Sequence, residues 1–250
     1  MEITYARTLK TRVLSFVWQH LLFLISLDLM TLGVALCVKS SLGSSVISSV
    51  PFVLSLAGAD GHAVPAWTIG DYTVAMNFFF VCCQILVLRR RFEAVQLFQL
   101  AIGLVFGWLI DMNMNLVAGL PCESVVSRAL VQFAGCTVMG IGIAMEVRCG
   151  SVTMPGEGIT IAISRVSGRP FPKMKIIVDT ALVVAAVALC YLFFGAWLWN
   201  VVGVGTLFAM FYVGLVVKTV GPRLGWFDAL LNYVPGFRRY LFGLARFLKK

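Results

Sequence analysis

Charge is what this chain has least of. Only 12% of its 250 residues are Asp, Glu, Lys or Arg, where soluble domains carry about a quarter. Acidic residues number 11 and histidines two. His20 and His62 have no second His or Cys at ligand spacing, so no metal centre is expected. Seven cysteines occur, none in a CxxC, and most lie inside apolar stretches. There a thiol behaves as a small hydrophobe, and a disulfide framework is not expected. The chain lacks a phosphate loop, a nucleophile–base triad and a metalloprotease motif. Neither an enzyme, a bound cofactor nor an ATP-driven pump is therefore expected.

Hydrophobicity fills the space that charge leaves. Hydrophobic residues make up 60% of the chain and mean hydropathy is +0.94. A water-soluble fold this apolar would expose large adhesive patches, whereas lipid tolerates it. About 20 apolar residues are needed to cross roughly 30 Å of hydrocarbon. Six stretches qualify, at approximately 13–38, 72–88, 94–118, 124–147, 174–195 and 198–218. The net charge of +9 reads as topology and not as a nucleic-acid footprint, because Lys and Arg gather at span ends. Arg7, Lys10 and Arg12 precede the first apolar run, which is too long for a signal-peptide core and lacks a small-x-small cleavage site. It is read as a retained first span.

Two further apolar pieces, about 46–58 and 155–166, are too short to cross. Each follows a break: Ser40-Ser41-Leu42-Gly43-Ser44-Ser45, and Cys149-Gly150-Ser151 through Met154-Pro155-Gly156-Glu157-Gly158. Both read as re-entrant helices. With a cytoplasmic N-terminus and both pieces returning to the side they entered from, every Lys and Arg except Lys39 and Arg128 lies inside. Full crossing by the first piece would put Arg89-Arg90-Arg91 outside, against the positive-inside rule. Both termini are expected in the cytoplasm.

The chain also resembles itself. Gly33-Val34-Ala35 with Val38-Lys39 aligns with Gly142-Ile143-Ala144 with Val147-Arg148 at an offset of 109. Beyond extra residues near Gly58 to Pro65 the offset is 102, pairing Asn77 with Asp179, Gly103 with Gly205 and Phe106 with Phe208. Each copy reads span, re-entrant piece, span, span, over about 13–118 and 124–220. Three spans are an odd number, so the second copy must be inverted. Inverted repeats with broken helices are typical of secondary transporters. The expected architecture is all-α: one membrane domain over 1–225 with six transmembrane helices and two re-entrant ones. A basic amphipathic helix over 226–250 would lie on the anionic inner leaflet.

Ionisable groups inside a bilayer cost several kcal/mol, so they are functional candidates. Asp28 falls in the first span, Asp111 in the third, Glu157 at the second break and Asp179 near the start of the fifth span. Glu157 is the strongest, flanked by Gly156 and Gly158 on kinked backbone at a helix N-terminus, which favours an anion. The competing reading is a simple helix cap. Ser44 and Ser45 sit in the matching element of the first copy, where hydroxyls can bind a solute or simply pack between helices. Asn77 and Asp179 are repeat-related, so one can be a proton or cation site and the other its neutral counterpart. Asp111, near Asn113 and Asn115, can mark only the outer end of its span, and Asp28, beside Thr31, can be satisfied within the protein. Glu146 and Arg148 lie near a cytoplasmic end and are expected to reach water.

Met154-Pro155-Gly156-Glu157-Gly158, then Ser167-Gly168-Arg169-Pro170-Phe171 and Lys175-Ile176-Ile177-Val178-Asp179, resemble the YczE/YitT-type bacterial integral membrane proteins. So do Gly33-Val34-Ala35 through Lys39, Leu42-Gly43, Pro51, and Phe106-Gly107 ahead of Asp111. The resemblance spans roughly residues 13–220 and implies a bacterial inner-membrane location and a transporter-like architecture. It brings no activity with it. The expected function is secondary transport, with proton coupling at Glu157 and Asp179, of a small polar or amphipathic solute. Partners are then the lipid bilayer and that solute, with homo-oligomers compatible. A scaffold would depend on residues 226–250 more than on Glu157, and a channel would need a polar pore joining both breaks.

Overall fold

A computed structural model of the chain describes residues 9–149 and 153–231. They form α1 (Leu9–Ser40), α2 (Val46–Ala59), α3 (Ile69–Leu88), α4 (Phe98–Val117), α5 (Val125–Cys149), α6 (Pro155–Ser167), α7 (Phe171–Phe194), α8 (Val204–Val220) and α9 (Gly225–Leu231). Short 3₁₀ turns fill Arg89–Arg91, Ala94–Leu97 and Gly221–Arg223, and there is no strand among the described residues. Six helices, α1, α3, α4, α5, α7 and α8, are long and apolar enough to cross a membrane. The chain is an all-helical, multi-span membrane protein. Large apolar side chains left on its outside, such as Phe211, Leu192 and Leu86, are the surface that lipid covers.

The breaks foreseen between spans are real chain features with local causes. Ser41 closes α1 at φ 55°, and Gly43 follows at φ 122°. A Cβ on Gly43 would lie 2.6 Å from Thr206 Oγ1 and 2.7 Å from the Gly203 amide, so only glycine fits that turn. Pro155 opens α6 at a position where its missing N–H costs nothing. Gly168 closes it in the left-handed conformation. Thr68 and Asp71 form a reciprocal capping box that starts α3. At 14 and 13 residues, α2 and α6 extend only about 20 Å at 1.5 Å per residue.

α1 is the axis of the bundle: 61% of its most apolar window is buried, against 11% for α7. It runs antiparallel to α5 at very close approach. Cys37 Sγ lies 3.8 Å from Cys136 Sγ, and the Ser40 hydroxyl donates to Gln132 Oε1 at 2.6 Å. Small residues set the spacing. A Cβ on Gly33 would lie 2.6 Å from both the Gly135 carbonyl oxygen and the Met139 amide. One on Gly142 would lie 2.8 Å from the Met30 amide and 2.9 Å from the Ser26 carbonyl oxygen. Close backbone approach through small residues is how helices associate where lipid removes the hydrophobic drive.

Around this pair, α1 packs on α4 and α5 on α8, while α2 packs on α3 and α7, and α6 on those same two helices. α3 and α4 form an antiparallel hairpin, with Gly103 against Asn77 and Gln84 bonded to Gln99. The two short helices meet inside the protein. A Cβ on Gly156, in the first turn of α6, would lie 2.5 Å from Ile47 Cδ1, in the first turn of α2. Ile47 and Val50 of α2 join Ile159 and Ile163 of α6 around Met76 and Phe80 of α3.

Cations tie down helix ends. Lys39 Nζ donates to the Ala118 carbonyl at the end of α4 at 2.6 Å. Arg148 donates to the Gly221 carbonyl at the end of α8 and pairs with Asp228 of α9. The sixth span starts at Val204 and not near 198, because Gly195 ends α7 at φ 66° and residues 198–203 form turns. Of the amphipathic helix expected over 226–250, only the part to Leu231 belongs to a described element; residues 232–250 lie outside the described residues.

Candidate functional site

The last turn and a half of α5, the start of α6 and the start of α7 bring four ionisable side chains together. Glu157 sits in the first turn of α6, where the helix dipole favours a carboxylate. Lys175 and Asp179, one turn apart on α7, form an ion pair at 2.6 Å, and both act electrostatically on Glu157. The fourth member is Glu146 of α5. It was expected to reach water, and it does not: the residue is 4% exposed. Its carboxylate feels the charge of Glu157, and the Met154 amide reaches it from the break. Glu146 Oε2 and Glu157 Oε2 are both buried without a hydrogen-bond partner among the described residues. The native rule is that buried polar atoms are paired, so two orphaned carboxylate oxygens in one place are exceptional.

Beside this group lies a cavity of about 30 Å³, lined by Gln84, Gln96, Gln99, Thr153, Gly158 and Arg165 among others. That is room for a water molecule. Gln84 Nε2 donates to Gln99 Oε1 at 2.8 Å and to the Pro155 carbonyl at 3.2 Å, so the break in the backbone is held by a side chain from α3. Gln96 Oε1 is buried without a partner among the described residues. A Cβ on Gly158 would lie 2.7–2.8 Å from the amide atoms of Gln84 and from Gln99 Oε1, so a larger residue here would have to displace those two side chains. Gly156 likewise lies against the end of the Ile47 side chain. The three glutamines carried no sequence signal as a site: each is one neutral residue on a different turn, and only the α3–α4 hairpin gathers them.

The remaining candidates are committed elsewhere. Asp111 accepts from Thr68 Oγ1 at 2.7 Å and from the Gly70 amide at 2.9 Å, capping α3 from a neighbouring helix. Asp28 accepts from Asn113 Nδ2 at 2.9 Å, and the same amide reaches Thr31 Oγ1, locking α1 to α4. Ser44 donates to the Val201 carbonyl at 2.9 Å, and the Ser45 and Ser48 hydroxyls pair at 2.7 Å. Ser44 stitches the first break to the turn before α8, and Ser45 and Ser48 satisfy one another at the start of α2. Asn77 is buried against Gly103 with Nδ2 unpartnered among the described residues, in a different setting from Asp179.

No curated protein and no solved structure matches the chain. A family model does match it over residues 17–222, from the first span to the turn that follows the last. The chain belongs to that family, the family of unknown function DUF6198.

Proposed function

We propose that the chain is a secondary transporter of the bacterial inner membrane, related to the YczE/YitT-type proteins, with both termini in the cytoplasm and two inverted copies of one unit. The observation that carries this reading is a set of contacts that repeats when the copies are exchanged. Gly33 meets Met139 and the Gly135 carbonyl; Gly142 meets Met30 and the Ser26 carbonyl. Each residue of the first set lies 109 positions from its counterpart in the second. Lys39 donates to the residue that closes α4, and Arg148, 109 positions on, to the residue that closes α8. The helix pairs α1–α4 and α5–α8, α3–α6 and α7–α2 match in the same way. A two-fold exchange of that kind, through broken helices that meet inside the protein, supports alternating access around a fixed site.

Proton coupling is placed at Glu157, with Asp179 and its partner Lys175 modulating it. The solute is small and polar or amphipathic, held near the starts of α2 and α6. A permanently open channel is the weaker reading, since Ile47 seated on Gly156 leaves an apolar closure between the two breaks.

Two experiments test the proposal. Impermeant thiol reagents should label His62→Cys and Arg169→Cys from opposite faces of the membrane, because the loops after α2 and α6 emerge on opposite sides; labelling from one face would refute the inverted arrangement. In proteoliposomes under a pH gradient, a panel of small polar solutes should include one that evokes coupled flux, and Glu157→Gln should abolish it. Flux unchanged in that variant would remove Glu157 from coupling. A scaffold would instead lose its effect in cells when residues 226–250 are deleted and keep it in Glu157→Gln.

A further inference from the structure

The two orphaned oxygens at the α5–α6 break carry an inference of their own. A carboxylate only accepts hydrogen bonds, so two ionised carboxylates side by side cannot satisfy one another. A neutral carboxylic acid donates one bond and still accepts. Glu146 Oε2 and Glu157 Oε2 are the two buried carboxylate oxygens without partners among the described residues, and the charge of one side chain acts on the other. A single proton between them satisfies both. The surroundings say where it sits. Glu157 has a cation near it, Lys175 on α7, with Asp179 paired to that cation, and it stands at the positive end of the α6 dipole. Glu146 has the Met154 amide, and its further neighbours are uncharged: the Cys149 thiol on its own helix and Ser26 of α1, which bonds that thiol. Arg148, two residues on, is already bound to Asp228 and the Gly221 carbonyl, and Arg165 lines the cavity on the Gly158 side. A buried carboxyl without a cation takes a proton instead of paying the cost of an unpaired charge.

We propose that Glu146 is the proton-bearing partner of Glu157: Glu146 holds a proton on Oε2 and donates it in a hydrogen bond to Glu157 Oε2, while Glu157 is ionised and balanced by Lys175. Asp179 then serves as the counter-charge of Lys175, to which it is bound at 2.6 Å. The pair titrates as a unit and not as two residues. Moving Glu157 away from Glu146, as a rocking of α6 against α5 would, breaks the shared bond and leaves the Glu146 proton without its anionic acceptor. The inference deepens the coupling-site reading and rests on it only for what the proton is used for.

Infrared difference spectroscopy of the full-length protein in lipid tests it without a solute or a transport assay. The carbonyl stretch of a neutral carboxylic acid is resolved from the carboxylate bands. At neutral pH the wild type should show such a band. Glu146→Gln should abolish it, because Glu157 alone beside Lys175 stays ionised. Glu157→Gln should keep the band and shift its frequency, because the donor has lost an anionic acceptor. Asp179→Asn, Asp28→Asn and Asp111→Asn should leave it in place. Absence of the band in the wild type, or its survival in Glu146→Gln, overturns the assignment, and the wild-type measurement stands even if a variant does not fold. Coupled flux without the band would dismiss Glu146 and leave the transporter reading intact; the band without any flux would do the reverse.

Discussion

Replacing Gly33 or Gly142 by alanine should open the α1–α5 seam, and the cost follows from the distances. Carbon atoms pack at about 3.5–4.0 Å. A Cβ on Gly33 would stand 2.6 Å from the Gly135 carbonyl oxygen, the Met139 amide and Met139 Cβ, none of which is the free end of a flexible side chain. On Gly142 it would meet the Met30 amide at 2.8 Å and the Ser26 carbonyl at 2.9 Å. Relief requires the helices to part by somewhat under an ångström, and a gap of about 0.5–1 Å forfeits a quarter to a half of each contact it touches. Overpacking of this sort costs about 1–3 kcal/mol. Alanine's better helix propensity returns about 0.5–1 kcal/mol, so each variant should lose roughly 1–2 kcal/mol net. The double variant should lose less than the sum, since one separation accommodates both methyls. Cys37, Cys136, Cys149 and Cys190 are buried and free, so a thiol-reactive dye reports unfolding in detergent without any added label. Gly214→Ala is the control: nothing lies within 4 Å of its Cβ position, and it should be neutral or stabilising by up to about 1 kcal/mol. Gly33→Ala melting at or above the wild-type temperature would refute the packing argument.

Other perturbations separate structure from site. Asp111→Ala should cost about 0.5–2 kcal/mol, the usual value of an N-cap, and speed amide exchange at the start of α3 while leaving the infrared band of the Glu146–Glu157 pair unchanged. Gln132→Leu removes the donor to the buried Gly205 carbonyl and the acceptor of the Ser40 hydroxyl; an orphaned buried acceptor costs about 1–3 kcal/mol, read as a fall in the same thermal midpoint. Arg148→Gln should release α9, seen as lost exchange protection over Gly225–Leu231. The shift in melting should be small, because ion pairs this open to solvent are worth about 0–1 kcal/mol.

Most of the architecture was legible because lipid imposes length. Val46–Ala59 and Pro155–Ser167 stand within a residue of the pieces expected at 46–58 and 155–166, since Ser/Gly/Pro breaks bound an apolar run on both sides. The start of the last span was misplaced by six residues, because Val201 and Val202 are buried in a turn and carry hydropathy without helix. The site was half legible. Glu157 announced itself by its Pro-Gly setting. Glu146 lies near the cytoplasmic end of its span, and nearness to an end reads as access to water. A better signal was present: Gly135, Met139, Gly142, Glu146 and Cys149 recur at spacings of four and three, and all are buried. That spacing is one face of a helix. A glutamate that continues a buried small-residue stripe lies inside whatever its depth. Asp28 and Asp111 were legible as acids inside apolar spans with a structural reading open for each, but their partners, Asn113 and Thr68, come from other parts of the fold.

In the proposed repeat the two copies share backbone contacts and not chemistry, and the difference has a physical reason. Counting back by the two offsets, Glu146, Glu157, Lys175 and Asp179 correspond to Cys37, Ser48, Thr73 and Asn77. All four of these are buried and none is charged at neutral pH. Each ionisable group held in a bilayer costs several kcal/mol, so a second charged constellation would cost as much as the first. A single proton acceptor already suffices if the exchange of the two copies presents it to each side in turn. The neutral set then serves as the counterweight whose packing must be as good in either orientation. Ser48 is satisfied by Ser45, whereas Asn77 Nδ2 is not satisfied by any described residue. Of the side-chain oxygen and nitrogen atoms at these four positions, only Asn77 Nδ2 is buried without a partner among the described residues, and it stands where the other copy carries the counter-charge of Lys175.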